Sequence, residues 1–276
     1  MPYSILEQVG AHVQSGDMDE ALRLLDQQLS ENPNDDEARR WRVAVLMHLP
    51  GDERQWAALA DLDAMRAPVA DDFWRRSIAL QTLGDLSAAE AVVLAALEQW
   101  PDDEQLIERQ LYLLTLAGKR RRAEALLARL PRTWRWLMWA GELAGESARD
   151  AESIAIYTEA LADLEGSLNT SEPFAANIKA QLLLSRAQAQ ATAGAFAEAD
   201  ADYAAAQVIV PDDPMLLFKR GLLASLQGDL IQALSLCGDS MTAANEREQE
   251  QMEHILRGDP RYAALAMLIL QGDADI

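Results

Sequence analysis

Apolar residues recur along the chain three and four positions apart, in blocks of about a dozen residues that Gly and Pro close off. Ala21 and Leu25, then Ala89, Val93 and Ala96, then Ala199, Tyr203 and Ala206 keep the spacing of one helix face, with polar residues between them. The pattern also repeats as a sentence. Gly84 and Gly194 each open a stretch that runs five residues to Ala, four more to an apolar residue, three more to Ala, and five more to Pro-Asp-Asp. With Gly84 as a landmark, Gly118 lies 34 residues on and Gly16 lies 68 before, while Gly194 and Gly228 are again 34 apart. Gly51 fits with a one-residue slip, and Ala148 divides the 76 residues between Gly118 and Gly194 into 30 and 46. The spacing predicts seven helix–turn–helix units.

Each unit carries physical punctuation. Gly permits a tight turn between antiparallel helices. Asp17, Asp52, Asp85 and Asp229 follow it, placed to cap the second helix. Pro33, Pro68, Pro101 and Pro211 sit near the end of that helix, which Pro cannot continue. The Asp pairs 35–36, 71–72, 102–103 and 212–213 then start the next one. First helices of units two to seven are predicted at about 36–49, 71–83, 103–117, 134–147, 180–193 and 214–227.

These residues carry a resemblance. A helix–turn–helix of about 34 residues with Ala, an apolar or aromatic residue four later, and Pro near the end is similar to the tetratricopeptide repeat. The small residue of that repeat's first helix is matched by Gly141, Ala187 and Gly221. Trp56 and Ser153 stand where Ala is usual, and Gln28 and Asp63 replace a later small residue. The likeness runs from Tyr3 to Met241. It implies an all-α, right-handed superhelical solenoid of antiparallel helix pairs with C-terminal capping helices, one array over 1–276, with possible subarrays 1–165 and 171–276. The loop joining them is expected around 164–177, where Gly, Ser, Asn, Thr and Pro gather.

The resemblance further implies a concave groove lined by the first helices and holding a segment of a partner protein. The family's groove positions fall on Trp41 or Arg42, Trp74 and Arg75, Glu108, Arg109 and Tyr112, Met138 and Trp139, Gln181, Ser185 and Gln188, and Phe218 and Lys219. Aromatic anchors mixed with cations suggest an acidic partner segment. One subset of the family grips C-terminal carboxylates through Lys and Asn, but the matching slots here hold Leu6, Glu7, Trp74 and Ile78, so that function is not implied.

Net charge narrows the range of partners. The chain has 24 Lys and Arg against 45 Asp and Glu, a net charge of −21, which disfavours a phosphate backbone as partner. Against that background Lys119, Arg120, Arg121 and Arg122 gather at a predicted helix start, where cations oppose the macrodipole. They read as a solvated turn or as a dock for an acidic surface. Trp134, Trp136 and Trp139 fall within six residues. Helical spacing sets Trp136 and Trp139 on one face with Trp134 turned away, and leaves open whether the cluster is core or an exposed anchor. The nearly all-apolar 262–270 must bury against the last pair or against a second copy of the chain.

Candidate chemistry is sparse. His12, His48 and His254 are isolated, and no metalloprotease, paired-Cys, dinucleotide or phosphate-loop motif occurs. The lone Cys237 takes the slot of Tyr203 and reads as a small core residue. A lone Cys, the absence of a long apolar run and a start without a basic-then-apolar signal suggest a cytoplasmic protein off the membrane. The expectation is a non-enzymatic adaptor needing no metal or cofactor. The alternative is a peptide sensor whose array changes curvature on binding.

Overall fold

In the computed structural model, residues 4–270 are described. All regular structure among them is helical. The chain divides into two compact units, 1–126 and 127–276.

The first unit holds α1 (Ile5–Ser15) with α2 (Met18–Glu31), α3 (Asp36–His48) with α4 (Asp52–Asp63), α5 (Ala70–Thr82) with α6 (Leu86–Gln99), α7 (Glu104–Leu116), and most of the short α8 (Arg120–Leu127). The second holds α9 (Trp134–Gly145) with α10 (Asp150–Ser167), α11 (Pro173–Thr192) with α12 (Phe196–Ile209), α13 (Pro214–Leu226) with α14 (Leu230–Ala243), then α15 (Glu246–Gly258), a 3-10 turn (Pro260–Tyr262) and α16 (Ala263–Leu270). Helices α1, α3, α5, α9, α11 and α13 each pack on their own second helix, and α3, α5, α7, α11 and α13 also on the second helix before them; α1 also meets α3, α5 meets α7, and α9 meets α11. Stacked antiparallel pairs follow from the pattern, because a lone pair leaves its apolar face in water.

The landmark residues do what the spacing predicts. All six landmark glycines have positive φ, and Ala148, at φ 55°, is the non-Gly residue that joins them. Its turn repeats theirs. Ala148 N–H donates to the Gly145 carbonyl at 2.9 Å and Arg149 N–H to that of Ala144 at 3.0 Å, as Gly84 and Asp85 donate to Gln81 and Leu80, both at 2.9 Å. Asp17, Asp85 and Asp229 cap the second helices, and Asp35, Asp103 and Asp213 the first. The apolar stripe forms the core: Ala21, Leu25, Ala89, Val93, Ala96, Ala199 and Ala206 are fully buried, and Tyr203 nearly so. Each buried Leu or Val stabilises the stack by about 1.5–3 kcal/mol. At Gly141 an added Cβ would lie 2.7 Å from the Tyr157 ring, so only Gly lets α9 and α10 close. Ser153 is buried and donates to the Gly141 carbonyl at 2.8 Å, which explains a polar residue in an Ala slot.

Three expectations change. Asp52 is inside α4 and makes no cap; Gly51 holds the cap position, and Ala58, Leu62 and Met65 take the buried stripe in place of Trp56, which is exposed. Pro50 has no N–H to close the turn, and the register slides. Second, the loop expected around 164–177 shrinks to 168–172, inside the second unit, because Pro173 starts α11 instead of breaking it. Third, the choice left open at the tryptophan cluster closes toward the core: Trp134 packs with Met138 on the second unit's core, Trp136 is buried on another face of the helix, and Trp139 is half-buried.

At the end of the array, α15 and α16 pack on α13 and α14. Tyr262 and Leu265 are buried, whereas Met267 and Leu268 are exposed. Tyr3 and residues 271–276, which the sequence reading included, lie outside the described residues. No helix among the described residues is long and apolar enough to cross a membrane.

Candidate partner-binding face

Two adjacent slots of the first helices decide where cations point. Nine residues before the landmark stand Arg75, Arg109, Trp139, Ser185 and Lys219; eight before it stand Arg76, Arg186 and Arg220. Neighbours on a helix point about 100° apart, so one slot can face first helices while the next faces second helices. That is what happens. Arg186 on α11 grips Asp202 on α12 with two bonds of 2.7 Å, Arg220 on α13 reaches Asp200 on α12 at 3.1 Å, and Arg76 on α5 reaches Asp63 on α4 at 2.6 Å. Arg42 on α3 bonds Asp61 on α4 and Asp26 on α2, at 2.7 Å to the latter. With the slip at Gly51, Arg42 belongs to this inner slot. Trp41 takes the outer one, packing on the first unit's core beside Gly10 of α1. Arg42 is therefore removed from the expected groove set.

Arg109 behaves differently. It is 8% exposed on α7, donates to the Ser77 hydroxyl of α5 at 2.7 Å and to the Ser77 carbonyl at 3.0 Å, and stacks 5.3 Å from the Tyr112 ring. Tyr112 is exposed and meets Gln81 at 3.4 Å. No carboxylate pairs with Arg109 among the described residues, and burial disfavours its charge. Lys219, in the same slot on α13, is half-buried, and its ammonium pKa is lowered by loss of water, against a weaker pull from Asp213. It too has no ion pair among the described residues. Arg75, by contrast, bonds Asp71 on its own helix at 2.7 Å. Trp74 is half-buried beside it.

Lys219 borders a cavity of about 290 Å³ within the second unit, shared with Glu142 of α9, Tyr157 of α10, and Ser185, Gln188 and Thr192 of α11. Glu142 keeps a side in water, yet the walls and then the like charge of Glu146 raise its carboxyl above the usual range. Burial pushes the Tyr157 hydroxyl up to about 12, opposed by a hydrogen bond with Ser185. Glu142 was not singled out in the sequence. The signal was present, since it stands six before its landmark, as Tyr112 and Gln188 do.

The chain is similar to a tetratricopeptide repeat protein from Parabacteroides merdae, with TM-score 0.62 and 15% identity over 90% of this chain and 95% of that one. It is also similar to the C-terminal part of a repeat-containing protein from Cytophaga hutchinsonii, with TM-score 0.61 and 12% identity over 88% and 98%. A third similar structure is PilW, a type IV pilus biogenesis factor, with TM-score 0.56 and 14% identity over 75% and 92%. No protein-family model and no curated protein matches the sequence. The chain has the tetratricopeptide-repeat fold.

Within that fold the remaining expected residues sort by environment. Phe218 is fully buried in the core of the last tetratricopeptide pair, so it is not a groove residue; it precedes Lys219 by one position and points inward. Cys237 is buried in the same core, and burial pushes its thiol up to about 12, far from a reactive thiolate. In the basic run, Lys119 and Arg122 both pair with the buried Glu90 of α6, the latter at 2.6 Å, so these two cations neutralise the array's own carboxylate. Arg120 and Arg121 are exposed.

Proposed function

We propose that the protein is an interaction scaffold whose groove-facing slots hold an acidic segment of a partner protein. The reading rests on one observation. Arg109 and Lys219 occupy the same repeat slot in different units, are desolvated, and have no carboxylate partner among the described residues. A desolvated cation gains most from a carboxylate delivered from outside, since the cost of removing its water has already been met by the fold. Tyr112, exposed on the same helix as Arg109 and stacked against its guanidinium, offers apolar surface there.

The test is binding of a fluorescein-labelled peptide of alternating Glu and Leu, followed by anisotropy. Changing Arg109→Gln together with Lys219→Gln should weaken binding by about tenfold or more, a loss of at least about 1.4 kcal/mol. Added salt should weaken binding to the unchanged protein. Affinity that survives both substitutions would remove these residues from the site.

A further inference from the structure

Two carboxylates line the cavity beside Lys219, Glu142 of α9 and Asp150 of α10, and an acidic ligand alone does not answer them. Lys219 reaches it from α13 and Glu142 from α9, with Ser185, Gln188 and Thr192 of α11 also lining it. No ion pair joins Glu142 and Lys219 among the described residues. Both are held in surroundings that disfavour their charges, Glu142 raised and Lys219 lowered. A segment that fills the cavity removes solvent from the side of each group that faces it. An anion by itself would bring a like charge to the cavity's carboxylates, and a cation by itself would do the same to Lys219. The hydroxyls and amide of α11 are suited to main-chain groups of the same segment.

We infer that this cavity selects a peptide segment bearing charges of both signs, with its carboxylate at Lys219 and a Lys or Arg side chain at Glu142. The inference rests on the scaffold reading above and narrows its ligand for the second unit. Whole-molecule charge agrees with a cation being welcome here, because the net −21 field attracts one.

The experiment uses the full chain and follows binding by chemical-shift titration. The probes are acetyl-Asp-Gly-Gly-Lys-amide, its reverse acetyl-Lys-Gly-Gly-Asp-amide, and two single-charge versions in which norleucine replaces either the Lys or the Asp. One of the two-charge peptides should bind about tenfold more tightly than the Asp-only peptide. Glu142→Gln should erase that advantage, and Glu142→Lys should invert it in favour of the Asp-only peptide. Equal affinity of two-charge and Asp-only peptides, or an advantage that persists in Glu142→Gln, overturns the inference and leaves the scaffold reading standing. Failure of all four peptides and of the Glu-Leu peptide overturns both.

Discussion

Ala148 shows how much a single position can reveal. Six landmarks are Gly, which lacks the Cβ that crowds a left-handed backbone; the seventh holds Ala at φ 55°. Ala148→Gly should therefore stabilise the protein by about 0.5–1 kcal/mol, read as a raised urea midpoint with an unchanged slope. An equal or lower midpoint would mean that the turn is not strained there. The landmark was legible because turn geometry is a property of a few consecutive residues. Phe218 and Lys219 show the opposite case. Both fit the groove pattern in sequence, yet one is in the core and the other at a cavity. One residue of helix rotation separates them, and only neighbouring helices say which direction is inward.

Between elements, the inner-slot arginines act as ties across helices. Arg186 and Asp202 are both largely removed from water and bonded in a fork, and Arg186 Nη1 also donates to Thr158 of α10 at 3.1 Å. Arg186→Ala strands the carboxylate of Asp202 and should cost about 3 kcal/mol, whereas adding Asp202→Ala should recover part of that loss. Chemical denaturation of the two single variants and the double variant measures the coupling; purely additive losses would deny it. The period of eight before the landmark exposes Arg76, Arg186 and Arg220 as a series in the sequence alone. Their acidic partners were not legible, because Asp63, Asp202 and Asp200 stand at different places in their own units. The inserted stretch misled for a local reason. Pro173 adds to the loop-like composition there, but at the first position of a helix its missing N–H costs nothing and its fixed φ suits the turn.

For the whole molecule, charge is the property that no single repeat explains. Many carboxylates of the described residues cap helices or meet arginines, yet the chain still carries −21. Self-repulsion on that scale opposes the compact state, and salt screens it within about 8–10 Å at physiological ionic strength. The thermal midpoint should rise by several degrees between about 20 mM and about 300 mM sodium chloride. A fall would show that the internal ion pairs outweigh the repulsion. Each compact unit has its own apolar clusters, one around Leu25 and Val43 and another around Leu182 and Tyr203. Such division suits stacked pairs, where burial is gained from neighbour to neighbour.

Helix period and most turns and caps were settled by the amino-acid order alone, since each depends on interactions within a few residues along the chain; Asp52 and Pro173 are the exceptions. That local chemistry was enough to predict paired helices, but not which slot of each faced outward. The fate of each charge was decided in three dimensions. Arg42, Lys119 and Arg122 met internal carboxylates, while Arg109 and Lys219 were desolvated without one among the described residues. Electrostatic pairing acts through space, so residues distant in sequence determine which cations remain for a partner.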